Sequence, residues 1–233
     1  MTLNEFEKEL ENIGIKLTNL QKEQLNKYYE LLIEYNKVMN LTGITKKEDV
    51  YLKHFYDSLT TIKAVDLTKI DSLCDIGTGA GFPGLVLKIV FPNIKILLLD
   101  SLQKRVNFLN KVIETIGLTN IETIHSRAED YAKENRNKFD ITISRAVAHT
   151  SILLEYAVPM TKEQGYFVAL KGNVEQELEE SKEAIKLLNV SLFNKIEFNL
   201  PIENSKRTIL VFKKEKDNIN YPRTNSEIKK HRL

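Results

Sequence analysis

The stretch Asp75-Ile76-Gly77-Thr78-Gly79-Ala80-Gly81-Phe82-Pro83-Gly84 decides the fold of this 233-residue chain. It is a glycine-rich turn that follows a short apolar run, Leu73–Ile76, and precedes a predicted helix at Pro83–Val90. A strand, a glycine turn and a helix in this order are how an open α/β sheet presents its backbone to a nucleotide-like ligand. The positions of the glycines help to indicate which ligand.

The turn carries Gly77, Gly79 and Gly81, whereas a dinucleotide site reads Gly-x-Gly-x-x-Gly and would need a glycine where this chain has Phe82. That third glycine lets the helix approach closely beneath a pyrophosphate. Its absence favours a smaller ligand such as S-adenosylmethionine over a nicotinamide dinucleotide. Gly77, Gly79 and Phe82 are then candidate cofactor contacts, with Phe82 offering an apolar surface.

After Ser72, short apolar or β-branched runs alternate with longer amphipathic ones. The predicted strands are Leu73–Ile76, Ile94–Asp100, Ile121–His125, Phe139–Ser144, Tyr166–Leu170, about Ser191–Phe198 and Thr208–Lys213. The predicted helices between them are Pro83–Val90, Gln103–Ile116, Ile152–Val158 and Val174–Leu187. Alternation predicts an α/β fold with a mainly parallel, seven-stranded, Rossmann-like sheet covered on both faces. The last two strands have no helix between them, so we expect an antiparallel hairpin at one edge.

Residues 1–65 have helical periodicity and predict an N-terminal helical extension. Thr18 begins Thr-Asn-Leu-Gln, which has the form of a capping box. We expect three parts: the extension at 1–65, the α/β domain at 66–215 and a basic tail at 216–233.

The composition, with 42% hydrophobic and 28% charged residues, is typical of a soluble globular protein. No apolar run approaches the roughly 18 residues of a membrane span. The single cysteine, Cys74, excludes an intrachain disulfide, and four scattered histidines indicate no metal site. We expect a cytoplasmic monomer without a membrane partner. Net charge is only +2, but positive residues crowd the tail, which is either a solvated end or a phosphate-contacting arm.

Two segments after strands are candidates for holding the cofactor. Asp100 ends the second strand, where a carboxylate can accept hydrogen bonds from both ribose hydroxyls; alternatively it caps the helix at Gln103. Ser126–Asp130 follows the third strand and could hold the adenine, or could be an N-cap cluster.

The substrate side begins at Arg145, after the fourth strand. The chain lacks Asn-Pro-Pro-Tyr and Asp-Pro-Pro-Phe there, and Cys74 lies in the first strand, which disfavours methylation of exocyclic amines and of pyrimidine C5. A nucleophile that needs no covalent help remains. Guanine N7 is such a centre, because its free lone pair needs no general base and catalysis is then mostly alignment. Arg127, Arg145 and Lys171 are expected to form a positive cluster for phosphate. Arg145 could instead form a salt bridge, and Arg207 could reach the cluster or merely flank the hairpin.

At this point the motifs resemble those of a known family. They are Asn40-Leu41-Thr42, His54-x-x-Asp57-Ser58, Asp75 to Gly84, Asp100-Ser101-x-x-Lys104-Arg105, Ser144-Arg145-Ala146 and Leu170-Lys171-Gly172. In this order they closely resemble the bacterial small-subunit ribosomal RNA guanine-N7 methyltransferases, once called glucose-inhibited division protein B. The likeness extends from about residue 5 to the tail, although the residues from Thr224 onward depart from the family's usual ending.

The resemblance implies a class I methyltransferase that uses S-adenosylmethionine. It implies methylation of N7 of a guanine (position 527 in the usual numbering) of 16S ribosomal RNA near the decoding site, in a small-subunit particle. The cofactor contacts that it implies are Gly77, Phe82, Ala128, Glu129 and Arg145. The implied RNA-side residues are Arg127 and Lys171, to which we add Arg207, Asn40 and His54, although His54 and Asp57 could instead make only local bonds. Arg145 and Lys171 are the candidate catalytic residues.

Three other functions stay open at this point. They are a methyltransferase for a small molecule, a non-enzymatic RNA-binding module and, most distant, a nicotinamide dehydrogenase. The basic residues argue against the first, and Phe82 argues against the last.

Overall fold

The structure is a computed structural model that describes residues 1–145, 147–172 and 174–233, apart from the side chain of Lys229. The predicted motif residue Ala146 therefore lies outside the described residues. The described helices are α1 (Leu3–Asn12), α2 (Asn19–Met39), α3 (Lys47–Val50), α4 (Asp57–Leu59), α5 (Gly84–Val90), α6 (Gln103–Ile116), α7 (Ala128–Glu134), α8 (Thr150–Ala157), α9 (Glu175–Glu180), α10 (Lys182–Leu187) and α11 (Asn225–Lys230). The strands are β1 (Ser72–Ile76), β2 (Lys95–Asp100), β3 (Ile121–His125), β4 (Phe139–Arg145), β5 (Thr161–Lys171), β6 (Val190–Asn199) and β7 (Lys206–Lys214).

The N-terminal extension is helical, as predicted. Thr18 caps α2 in a capping box with Gln21, which satisfies two backbone N–H groups that the first turn leaves free. Asn40 ends α2 with a left-handed φ of 50°. A π-helical turn at Tyr51–Tyr56 then connects α3 to α4.

The seven strands form one sheet in the order β3-β2-β1-β4-β5-β7-β6. Strands β1 to β5 pair in parallel, and β7 pairs antiparallel with both β5 and β6. The predicted parallel sheet with an antiparallel edge hairpin is therefore confirmed. The strand pattern did not predict that β7 lies between β5 and β6, which makes β6 the edge strand.

Three elements differ from the sequence prediction. The segment Ser126–Asp130, treated as a loop, leads into α7, which buries only Glu129 and Ala132 and so lacks a readable apolar stripe. The helix expected at Val174–Leu187 is divided at Ser181 into α9 and α10. Strand β5 begins at Thr161 and not at the predicted Tyr166. Its first part is irregular near Gln164, where φ is +66°, so the sequence there lacks a regular strand pattern.

The extension packs against the sheet domain and shares its core. One hydrophobic cluster joins Phe6 and Leu32 of the extension to Leu85 of α5 and Phe108 of α6. A second cluster lies on the other sheet face, beneath α8 and α10. Among the described helices, none combines the length and the hydropathy needed to cross a bilayer.

The basic tail is folded against α8 and α9. Arg223 donates two side-chain hydrogen bonds to Glu155, each 2.8 Å long, and Ile228 is 2% exposed. Arg232 pairs with Glu180 at 2.6 Å. Two of the tail's cations, Arg223 and Arg232, are thus engaged within the protein, and a phosphate contact by the tail stays a prediction.

Candidate active site

The glycine turn keeps most of its own N–H groups for internal bonds. Gly77 and Thr78 donate to the Leu99 carbonyl at 2.8 and 3.1 Å, and Gly81 and Phe82 donate to the Thr78 carbonyl at 2.9 and 3.0 Å. A pyrophosphate site needs such donors to face the ligand. The turn therefore offers little to a dinucleotide.

Asp75 occupies the N-terminus of α5, where a dinucleotide fold would place its pyrophosphate. Its Oδ2 accepts from Gly84 N at 2.8 Å and from the Thr78 hydroxyl at 2.6 Å. The side chain is fully buried, and burial raises the pKa of this carboxyl to about 6. A carboxylate here disfavours an anion, which agrees with a ligand that lacks pyrophosphate.

Gly77 is required by its surroundings. Its φ is +65°, and a Cβ there would lie 2.7 Å from Cγ2 of Val147. The backbone of the turn thus approaches the segment that follows β4, and the two enclose a cleft at the carboxyl ends of the strands. This is where open α/β sheets bind ligands.

Asp100 is held at the end of β2 by hydrogen bonds from two backbone N–H groups. Its Oδ1 accepts from Leu102 N at 2.9 Å just before α6, and its Oδ2 accepts from Gly79 N at 2.9 Å. Arg105 lies 3.4 Å from the same Oδ2. Asp100 is 2% exposed and borders the cleft. Its contact with a ribose stays a prediction.

The cleft consists of two adjoining cavities that share Gly77, Asp100, Ser101 and Val147. The first, of about 220 Å³, is called here the β3 cavity; its other lining residues are Ile76, Leu99, Ser126, Arg127, Ala128, Glu129, Ala148 and Tyr156. The second, of about 420 Å³, is called the turn cavity; its other lining residues are Leu41, Thr42, His54, Thr78, Gly79, Ala80, Phe82, Arg105 and Arg145.

These cavities suit an adenosine attached to an amino acid. Glu129 is 3% exposed, and its Oε1 has no hydrogen-bond partner among the described residues although it borders the β3 cavity. The nearest cation, Nη1 of Arg127, lies 3.9 Å from this oxygen, beyond hydrogen-bond distance. A buried acceptor without a hydrogen bond is costly unless a ligand supplies a donor, and the adenine amino group is such a donor. Ala128 and Glu129, both predicted cofactor contacts, therefore lie where an adenine would fit.

Phe82 contacts two rings of the extension and the Arg145 guanidinium. Its ring centroid is 5.6 Å from that of Tyr28 and 4.3 Å from that of His54, and the Arg145 guanidinium lies 5.0 Å above it. The ring is 6% exposed and lines the turn cavity. Phe82 thus joins the extension to the sheet, a role that the sequence did not reveal.

Arg145 is held in the salt bridge that the sequence left as an alternative. Its Nη1 donates to the Lys53 carbonyl at 3.0 Å and to Asp57 Oδ2 at 3.3 Å. Its Nη2 donates to Nδ1 of His54 at 3.1 Å. Asp57 also accepts from Nε of Arg207 at 3.1 Å. Two guanidinium groups share one carboxylate, which leaves a net positive charge.

His54 is a neutral imidazole in this network. Burial, followed by the charge of Arg145, lowers the pKa of His54 to about 3. Because arginine can only donate, Nδ1 of His54 must accept, and its proton therefore sits on Nε2. His54 cannot serve as a general base while both nitrogens are engaged in this way.

A third cavity, called here the basic cavity, adjoins the turn cavity through His54 and Arg145. It measures about 350 Å³, and its other lining residues are Ile44, Lys53, Asp57, Thr60, Leu170, Lys171, Gly172, Phe198, Arg207, Thr208 and Ile209. Of the predicted positive cluster, Arg145 and Lys171 meet here together with Arg207. Arg127 does not join them, because it lines the β3 cavity, where its side chain is 56% exposed.

Lys171 faces this cavity with its ammonium group already engaged. Its Nζ lies 2.6 Å from Oε1 of Glu177 and also donates to the carbonyl of Ala148. Its side chain is 9% exposed. An RNA contact by Lys171 stays a prediction, and two of the three N–H groups of its ammonium are already engaged.

The remaining predicted residue, Asn40, is exposed at the left-handed end of α2, next to Leu41 and Thr42 of the turn cavity. Sequence reasoning missed Tyr28, Val147 and Tyr156. Tyr28 belongs to the buried stripe of α2, and such a stripe by itself predicts only a core position.

The family model GidB, described as rRNA small subunit methyltransferase G, matches residues 21–229. Proteins called ribosomal RNA small subunit methyltransferase G are 44% identical in Listeria monocytogenes, over 96% of this chain and 95% of theirs, and 48% identical in Lachnoclostridium phytofermentans, over 92% and 90%.

Solved structures share the fold at low identity. YcgJ protein from Bacillus subtilis is 14% identical with a TM-score of 0.54, over 70% of this chain and 100% of that one. TYW2 of P. horikoshii, solved in complex with MeSAdo, is 14% identical with a TM-score of 0.53, over 67% and 60%. The predicted class I methyltransferase fold, the enzyme class and S-adenosylmethionine as methyl donor are confirmed. The chain belongs to the rRNA small subunit methyltransferase G family.

Proposed function

We propose that this protein transfers a methyl group from S-adenosylmethionine to N7 of a guanine in 16S ribosomal RNA, at position 527 in the usual numbering, near the decoding site. The observation that carries the proposal is the contact between two cavities. The turn cavity suits the donor, the basic cavity suits an RNA nucleotide, and His54 and Arg145 belong to both.

The chemistry of the site favours a nucleophile that needs no activation. Bound S-adenosylmethionine supplies an electrophilic methyl group on a sulfonium. Guanine N7 has a free lone pair and no proton to lose, so the reaction needs no general base. This agrees with His54, which is neutral and has both ring nitrogens bonded, and so is not available as a base. Cys74 is fully buried, and burial raises the pKa of its thiol, which argues against a covalent route. The site then acts by alignment and exclusion of water.

Each candidate residue has a proposed part. Asp100 binds the ribose hydroxyls, and Ala128 and Glu129 bind the adenine. Arg145 fixes Phe82 and His54 at the wall between the donor and the guanine, which makes it the central candidate for catalysis.

The RNA phosphates are assigned to exposed or partly exposed groups at the rim. Arg127 lines the β3 cavity, Arg207 lines the basic cavity, and Asn40 is exposed beside Leu41 of the turn cavity. The net charge around Asp57 is positive. Lys171 lines the basic cavity and holds the segment after β4. The expected substrate is a small-subunit particle, and the protein is expected to act as a cytoplasmic monomer.

The test is transfer of labelled methyl from S-adenosylmethionine to small subunits that lack the modification. Arg145→Ala should lose at least about a hundredfold in kcat/KM while remaining folded. Arg136→Ala is the matched control, because Arg136 is also an ion-paired arginine, bonded to Asp217 at 2.8 Å and to two carbonyls, but lines none of the three cavities. Equal activity of the two folded variants would remove Arg145 from the mechanism.

A small-molecule methyltransferase is the second candidate, since the basic cavity is only about 350 Å³. Strong salt dependence separates the two, because an RNA complex releases many counterions and a small molecule does not. An acceptor KM that is unchanged between 50 and 200 mM salt would favour the second candidate.

A further inference from the structure

The backbone of Thr42 is held by two hydrogen bonds beside the turn cavity. Its N–H donates to Oδ1 of Asn36 at 2.8 Å, and its carbonyl accepts from Nδ2 of Asn36 at 2.9 Å. This pair of bonds fixes the backbone just after α2. The hydroxyl of Thr42 therefore has a defined position relative to the cleft.

The direction of the hydrogen bonds at this hydroxyl follows from Arg145. Arginine donates to Nδ1 of His54, so the imidazole carries its proton on Nε2 and donates it to Thr42 Oγ1 at 2.8 Å. The backbone N–H of Ile44 donates to the same oxygen at 3.0 Å. A hydroxyl accepts two hydrogen bonds and donates one, and both acceptor positions are now filled.

The hydrogen of the Thr42 hydroxyl must consequently be donated elsewhere. No group in the described ranges 1–145, 147–172 and 174–233 accepts it. Thr42 lines the turn cavity together with Gly77 and Asp100, and it does not line the basic cavity. Arg145 thus fixes the direction of the hydrogen bonds from Arg145 to His54 and from His54 to Thr42. As a result, the Thr42 hydroxyl is a hydrogen-bond donor to a ligand in the turn cavity.

We propose that Thr42 donates a hydrogen bond to the carboxylate of the methionine portion of S-adenosylmethionine. This inference rests on the cofactor placement of the proposed function. With the adenine beside Glu129 and the ribose at Asp100, the methionine portion extends into the turn cavity. Its ammonium and sulfonium groups accept no hydrogen bond, so the carboxylate is its one acceptor. The extension, through Thr42, would then select a donor that carries a carboxylate.

The test compares two ligands that differ in that group alone, S-adenosylmethionine and decarboxylated S-adenosylmethionine, by calorimetry. Thr42→Val keeps the shape and removes the donor. It should raise the Kd of S-adenosylmethionine about tenfold, as expected for a charge-assisted hydrogen bond, and change the Kd of the decarboxylated ligand less than about twofold. Thr42→Ser restores the hydroxyl and should return the Kd of S-adenosylmethionine to within about threefold of the native value.

Equal weakening of both ligands by Thr42→Val would overturn the inference, because it would mean that the hydroxyl only supports His54 and Ile44. Asp100→Asn separates this from the cofactor placement. It should weaken both ligands, and no effect on either would reject the placement itself. The native protein gives a test that needs no variant: it should bind S-adenosylmethionine about tenfold more tightly than the decarboxylated ligand, and equal affinities would overturn the inference.

Discussion

The hydroxyl of Tyr28 links the helical extension to the glycine turn, and Tyr28→Phe tests whether that link supports the cofactor site. Tyr28 is fully buried in α2 and donates to the carbonyl of Ala80 within the turn. Burial raises the pKa of Tyr28 well above its ordinary value, so the phenol stays protonated and remains a donor. The substitution removes only the oxygen.

The magnitude follows from what remains after the change. The ring keeps its packing, with centroids 5.4 Å from Phe55 and 5.6 Å from Phe82. The Ala80 carbonyl loses a partner in a dry environment, which costs about 1 to 2 kcal/mol of unfolding free energy. If most of this free-energy loss appears as greater mobility of the turn in the ligand-free protein, binding must order the turn again. The Kd of S-adenosylmethionine then rises between about twofold and tenfold, since 1.4 kcal/mol is a factor of ten.

The assay is urea unfolding followed by calorimetric titration with S-adenosylmethionine. Tyr29→Phe is the matched control, because the neighbouring Tyr29 donates to the Thr45 carbonyl at 3.2 Å in an exposed bond. Its loss should cost less than about 0.5 kcal/mol and leave the Kd unchanged. The reasoning is refuted if the two variants have the same midpoint and the same Kd, or if Tyr28→Phe loses stability with no change in Kd.

Three further changes give distinct outcomes. Folding lowers the pKa of His54 from 6.5 to about 3, so its contribution to stability is present above pH 6.5 and is lost as the pH falls. The unfolding free energy of the native protein should therefore decrease relative to that of His54→Asn between pH 7 and 4.5. Parallel curves for the two proteins would reject the neutral histidine. Gly81→Ala places a Cβ 2.5 Å from the Leu85 side chain at a backbone φ of +104°, whereas a Cβ at Gly117, where φ is +69°, meets open space. Gly81→Ala should therefore lose more unfolding free energy than Gly117→Ala and should also weaken cofactor binding. Equal losses in both variants would contradict the geometry. Arg207→Met should reduce the slope of log affinity for RNA against log salt by about 0.7 to 0.9, because Arg207 and Arg145 share the one carboxylate of Asp57 and leave one positive charge in excess. Lys171→Met should leave the slope unchanged, because Glu177 balances the charge of Lys171 alone. The reverse result would restore Lys171 as the phosphate contact.

Sequence reasoning reached the sheet because its signals are local. The apolar runs, the glycine turn and Asp100 at the end of β2 each show their place without knowledge of a partner. It missed α7 because a short helix that buries only Glu129 and Ala132 has no apolar period to detect. It could not place β7 between β5 and β6, since strand order depends on contacts far apart in the chain.

The site shows the same limit. The sequence identified Arg145, His54 and Asp57 separately, but no spacing shows that a buried carboxylate is shared by two arginines 62 positions apart. It expected one basic cluster, and the structure separates Arg127 from the others because β3 and β5 lie on opposite sides of β1. The role of Tyr28 was hidden because a core tyrosine and a turn-supporting tyrosine have the same helical periodicity.

The most direct test of the central claim is to locate the methyl group. Unmethylated small subunits are incubated with the protein and S-adenosylmethionine, and the extracted 16S RNA is cleaved chemically at N7-methylguanine and mapped by primer extension. The account predicts one new stop, at a single guanine near the decoding site, that disappears with Arg145→Ala and persists with Arg136→Ala. Methyl incorporation without a stop at any guanine would contradict it.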